Sequence, residues 1–150
     1  MYQRILVPVE HSDYDDVIIS HIKKLARTCN GASIVLIHVA DGWAARNIRQ
    51  LDLRESEEMK SDREYIESIA DSLETDGFDV EAILASGDPA TEIAATATRE
   101  NCDLIAMATH GHRGIADVLH GSVANELRHI SMLPVLLVRG PAHIPPHPAK

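Results

Sequence analysis

The chain has 150 residues and a formal charge of −9. That length suits one domain whose core needs neither disulfides nor metal, because folding at this size buries roughly 70% of the unfolded chain's surface. The acidic balance disfavours nucleic acid and anionic lipid as partners. The two cysteines, Cys29 and Cys102, form no metal-binding or disulfide framework.

Aromatic residues are 3% of the chain, so Val, Ile, Leu and Ala must fill the core, a palette that suits parallel strands buried on both faces. The first residues run straight into a strand pattern with no leader. No apolar run reaches the roughly 20 residues of a membrane span. The expected location is the cytoplasm, with no membrane partner.

Ile5 to Val9 is a continuous apolar run and reads as a buried strand. Ser12, with Asp15 three residues on, resembles a capping box. Ile18, Ile22, Leu25 and Cys29 then fall on one helical face, and Asn30-Gly31 supplies the stop. Ser33 to Val39 is a second buried strand. Asp41 to Leu53 has weak periodicity and reads as a loop or short irregular helix. Arg54 to Thr75 reads as a charged amphipathic helix with Ile66, Ile69, Ala70 and Leu73 inward, closed by Gly77. Its acid-rich part, Arg54 to Glu67, is a solvated face.

Asp79 to Ala85 alternates in polarity, which places it near a sheet edge. Gly87-Asp88-Pro89 sets a cap before a proline at the first helical position, and Ile93, Ala94 and Ala97 share the following helix's inner face. Asp103 to Ala108 is a fourth strand. Ser122 to Ile130 is a helix with Val123, Leu127 and Ile130 inward, and Pro134 to Val138 is a fifth strand. Strands alternating with helices mean crossover units and a parallel sheet in an α/β fold. The domain spans 1–139, and the Pro-rich stretch 140–150 reads as a disordered tail.

In open α/β sheets ligands bind beyond the carboxyl ends of the strands, at the point where strand order reverses. Those ends carry Pro8, Val9 and Glu10 on the first strand, Val39 on the second, and Met107, Ala108, His110 and Gly111 on the fourth. A second glycine turn, Gly121-Ser122 followed by Val123, reads as a helix start. Glycines let backbone approach a ligand closely, and a helix start offers free N–H groups to an anion. The expected ligand is a nucleotide: base against Val39 and Met107, ribose near Glu10, phosphates across Gly111 and Gly121-Ser122.

The arrangement resembles the universal stress protein family, from Ile5 to Val9 at one end to Pro134 to Arg139 at the other. The nucleotide-binding branch of that family carries Gly-x2-Gly-x9-Gly-(Ser/Thr). Here Gly111 is the second glycine, nine residues follow, and Gly121-Ser122 completes the pattern. Two positions depart from it. Ala108 replaces the first glycine, and Glu10 stands where the family usually has Asp after the first strand. The resemblance implies a Rossmann-like single domain, an open parallel sheet of five strands in the order 3-2-1-4-5 with helices on both faces. It also implies ATP, carried with Mg2+, and a homodimer formed through the 134–138 edge strand.

Other readings use the same residues. Gly111, Gly114 and Gly121 also serve plain turns, with Ser122 as a helix cap. His110, His112 and His120 are three imidazoles with no carboxylate or cysteine at a matching spacing, so no metal site is assigned. Ser122, His110 and Asp117 include the residue types of a hydrolase triad without a nucleophile elbow. No Gly-Lys-(Ser/Thr) follows the glycines, so the lysine that reaches the outer phosphates in a P-loop is missing, with Arg113 as a partial substitute. No catalytic residue is assigned. His38, inside a strand run, reads as a buried, hydrogen-bonded histidine.

Three functions follow, in order of preference. The first is an ATP-binding switch that reports stress or energy state to an unknown protein partner. The second is a slow ATPase or phosphate- or adenylate-transfer enzyme. The third is a nucleotide-free dimer working through protein contacts. The fifth strand is an apolar edge that needs a cover, and a second copy supplies one, with Leu136 as the residue to test.

Overall fold

The computed structural model describes the backbone of residues 1–41, 48–109 and 115–140, and their side chains except at 41, 48–56 and 115–122. Five parallel strands, β1 (Arg4–Pro8), β2 (Ser33–Asp41), β3 (Val80–Gly87), β4 (Leu104–Thr109) and β5 (Val135–Arg139), lie in the order 3-2-1-4-5. The helices are α1 (Tyr14–Thr28), α2 (Ile48–Thr75), α3 (Pro89–Arg99) and α4 (Ile115–Ile130). In the central strand, Ile5 faces Ile34 of β2 on one side and Leu104 of β4 on the other.

Strand alternation sorts the core into two layers. Ile5, Val7, Ile34, Leu36 and Ala106 face Ile18 and Ile22 of α1 and Ile66 and Leu73 of α2. Leu6, Val35, Ile37, Ile105 and Met107 face Ile93 and Ala97 of α3 and Ala124 and Leu127 of α4. The middle strands are thus apolar on both sides, which is why they read as unbroken runs. β3, the alternating one, sits at one edge, and β5 at the other.

Local signals fixed several boundaries. Asn30 and Gly31 both take the left-handed conformation, at φ 58° and 82°, and Gly31 N–H donates to Ala26 O at 2.9 Å to end α1. Asp88 caps α3, accepting from Thr91 N–H at 3.0 Å, with Pro89 at the first helical position. At the amino-terminal edge of the sheet, Asp103 accepts from Gln3 N–H and Arg4 N–H, and the Arg4 guanidinium reaches Glu81 and Glu100. Among the described residues no helix is long and apolar enough to cross a membrane.

Five expectations are corrected. Residues 48–53 are helical and belong to α2, whose backbone begins at Ile48; the apolar period in that stretch is too weak to announce a helix. Helix α4 begins at Ile115, and Gly121-Ser122 lie inside it. The run from Ile115 to His120 holds no proline and places Asp117 in the first turn, where it suits the helix dipole. One interior glycine costs only about 1 kcal/mol. Ile130, expected inward, is 54% exposed at the helix end, and Ala124 is buried beside Leu127 instead.

Ser12 makes no side-chain cap; the residue at the start of α1 is Asp13, and only the returning half of the box forms, with Ser12 N–H donating to Asp15 at 3.1 Å. Gly140, assigned to the tail, is packed: its N–H donates to Thr109 O at 2.9 Å, and a Cβ there would sit 2.8 Å from the Tyr14 ring. The rest of the tail, 141–150, lies outside the described residues.

Candidate functional site

The strand order reverses between β1 and β4. From β1 the chain moves outward through β2 and β3, then returns to place β4 on the other side of β1. Helices α1 and α4, which follow these two strands, cover opposite faces, so a crevice opens at the carboxyl ends.

Pro8 ends β1 half-buried. Val9 is buried, and its N–H donates to Ile37 O at 2.8 Å, which continues the β1–β2 pairing one residue beyond the strand. Glu10 follows, half-buried, in the loop before α1. On β2, half-buried Val39 packs on the same core layer as Met107 of β4 and Val123 of α4. Ala108 packs on the opposite layer, with Val9. The sheet end therefore gathers Pro8, Val9, Glu10, Val39, Met107 and Ala108. His110, Gly111, Arg113 and Gly114 lie outside the described residues. Gly121 and Ser122 are placed by backbone only, in the second turn of α4.

The loop after β1 is held from below by a polar cluster. The Asp15 carboxylate, 3% exposed, accepts from the backbone N–H groups of Glu10 at 2.8 Å, His11 at 2.8 Å and Ser12 at 3.1 Å. The Tyr65 hydroxyl on α2 donates to the same carboxylate at 2.5 Å. Burial, reinforced by Asp15, holds the Tyr65 phenol well above its ordinary ionisation range, so it remains a donor. The His11 ring stacks on Tyr65, with centroids 3.9 Å apart, and its Nδ1 lies 3.0 Å from Asp62.

The other Asp62 oxygen lies 3.4 Å from His38 Nε2, and His38 Nδ1 is 2.9 Å from Val9 O. A carbonyl only accepts, so Nδ1 carries the hydrogen in that bond. His38 is thus the buried, hydrogen-bonded histidine expected. Asp62 and Tyr65 carry no signal in the sequence. Each is a single polar residue on a charged helix, and their partners His11 and Asp15 are some 50 positions away.

Burial raises the Cys102 thiol to about 11, so it is protonated at neutral pH and a poor nucleophile. Among the described residues no group of His, Cys, Asp and Glu is arranged to hold a metal ion.

Residues 1–139 match the Universal stress protein family. The chain belongs to the universal stress protein family. Universal stress protein MJ0577 of Methanocaldococcus jannaschii is 29% identical over 159 aligned residues, covering 93% of this chain and 96% of the relative. The solved MJ0577 structure covers 95% of this chain and 99% of its own, with a TM-score of 0.82. Two more distant members share the fold. One is a universal stress protein solved in complex with cAMP, at 21% identity and a TM-score of 0.67 over 92% of this chain and 97% of its own. The other, from Archaeoglobus fulgidus in complex with dAMP, is 19% identical with a TM-score of 0.65 over 91% and 98%. The family match spans β1 to β5, so the strand ends that make the crevice all fall within it.

Proposed function

We propose that this universal stress protein binds a nucleotide, ATP with Mg2+, in the crevice between β1 and β4, and works as a binding switch for a protein partner in the cytoplasm. The observation that carries the reading is the gathering of Pro8-Val9-Glu10, Val39 and Met107-Ala108 at the carboxyl ends where the strand order reverses. Val39 and Met107 share one apolar layer and suit a base. Glu10, on the adjoining strand end, suits a ribose. The glycine pattern from Gly111 to Gly121-Ser122 suits phosphates. Relatives of the same fold are known with cAMP and dAMP, which supports a purine nucleotide. The free thiols Cys29 and Cys102 suit a reducing compartment. Nucleotide binding shifts the population of two shapes only by the difference in affinity between them.

Thermal unfolding of protein stripped of nucleotide, with and without Mg-ATP, tests this. At about 100 times Kd the ligand contributes roughly 2.7 kcal/mol. For a domain of this size that raises Tm by about 5–10 °C. No shift, with no nucleotide extracted from the purified protein, would overturn the reading in favour of the nucleotide-free dimer.

We propose further that two copies pair through β5. This strand ends the sheet, and Leu137 on it is 47% exposed; Ile130 and Met132 on the preceding segment are exposed too. Leu136 packs against the core, so a charge there would damage the fold as well. Leu137→Lys is the cleaner probe. It should convert a dimer to a monomer in sedimentation velocity while leaving the far-UV spectrum intact; a persisting dimer would place the interface elsewhere.

A further inference from the structure

Four consecutive residues after β1 are each pinned by a side chain from another element. Val9 O is held by His38 of β2 at 2.9 Å, and the N–H groups of Glu10, His11 and Ser12 by Asp15 of α1. This exceeds what a helix start requires. The donors left open by a helix lie in its own first turn, whereas α1 begins at Tyr14 and the Glu10 and His11 donors precede it.

His11 also holds the left-handed conformation at φ 62°, uncommon for any residue but glycine. It persists because the surroundings over-determine it. Its ring is stacked on Tyr65 and bonded to Asp62, both from α2. The grip therefore fixes the path of the loop that carries Glu10 and anchors that path to α2 at Asp62 and Tyr65.

We infer that Asp15 and Tyr65 are positioning residues for sugar recognition: they hold the Glu10 segment at the distance and angle a ribose requires, so Tyr65 governs ribose selectivity through the loop it grips. The inference rests on the nucleotide reading above and deepens it. Glu10 is one methylene longer than Asp, and a longer side chain needs a firmer base to aim the same group. Tyr65 supplies that base by completing the Asp15 coordination, and its ring carries the His11 stack. Tyr65→Phe removes only the hydroxyl and keeps the ring. Asp15 retains its three backbone donors, and the fold is kept.

The test compares ATP with 2′,3′-dideoxy-ATP by isothermal titration against full-length wild type, Tyr65→Phe and Asp62→Asn. Wild type should prefer ATP. In Tyr65→Phe, affinity for ATP should fall about five-fold or more, at the lower end of couplings between separate positions. Affinity for the dideoxy form should stay the same, so the preference shrinks. Asp62→Asn, which loosens His11 and His38 together, should move the preference in the same direction. A role confined to stability would lower both affinities equally or neither. Equal losses, an unchanged preference in both variants, or a wild type indifferent to the ribose hydroxyls would overturn the inference alone. Failure of wild type to bind either nucleotide would remove the nucleotide reading and this inference with it.

Discussion

Asp15→Ala should lower the free energy of unfolding by about 3 kcal/mol or more, the range expected when a buried charged acceptor is taken from several donors at once. The carboxylate is 3% exposed and serves three backbone N–H groups and the Tyr65 hydroxyl. Alanine leaves all four without their acceptor. The full sum of four bonds is not expected, because the loop lies near the surface and water will reach part of it. Asp15→Asn keeps one carbonyl oxygen and should recover about half the loss, since one acceptor atom still has two lone pairs. Urea denaturation followed by far-UV circular dichroism measures both. A loss below about 1 kcal/mol for alanine, the net value of one ordinary hydrogen bond, would mean that water replaces the carboxylate and that the loop is not gripped.

Gly121→Val should abolish the Mg-ATP shift while leaving the unliganded protein as stable as before. Gly121 lies inside α4, whose backbone runs unbroken from Ile115 to Ile130. In a helix interior the amide is committed to a carbonyl one turn back. A helical Gly121 thus offers a ligand close approach more than a donor. Valine has a better helix propensity than glycine by a few tenths of a kcal/mol, so the unliganded Tm should hold or rise slightly. The two branched methyls fill the space a phosphate would take. The expected loss is the whole ligand-induced shift, about 5–10 °C at saturating nucleotide. Gly121→Ala, with one methyl, should retain part of it. A full shift in the valine variant would put the phosphates away from this turn of α4. A fall in the unliganded Tm would show that the glycine serves packing instead.

Much of the fold was legible because its signals are local. Ile5 to Val9 and Ser33 to Val39 are apolar without break, as strands covered on both faces must be, and β3 alternates as an edge strand does. Asp88-Pro89 and Asn30-Gly31 marked helix ends through fixed backbone chemistry. The failures were also physical. The first turns of α2 carry no clear apolar period in the sequence, so nothing local announced them. Gly121-Ser122 has the composition of a helix start, yet the preceding six residues favour helix enough to carry it through. Ser12 had the right type for a cap, but the Asp15 N–H donates to the Ser12 carbonyl oxygen and not to its hydroxyl. At the site, the strand ends pointed to the crevice. The grip beneath it was hidden, because Asp15, Asp62, Tyr65 and His38 meet only in three dimensions.

The strand order has a consequence for synthesis on the ribosome. Every pairing in this sheet joins strands separated by a helix or a long crossover, so no hairpin can seed it. The segment through β3 can assemble as soon as it emerges, with β1 paired to β2 on one flank. The other flank of β1, which will end up at the centre of the molecule, stays open until β4 is made, since Ile5 must wait for Leu104. During that interval the strand whose Ile5, Leu6 and Val7 end fully buried presents an unprotected hydrogen-bonding rim to the cell. Nascent chains stalled between β3 and β4 are therefore the species that should need a chaperone most.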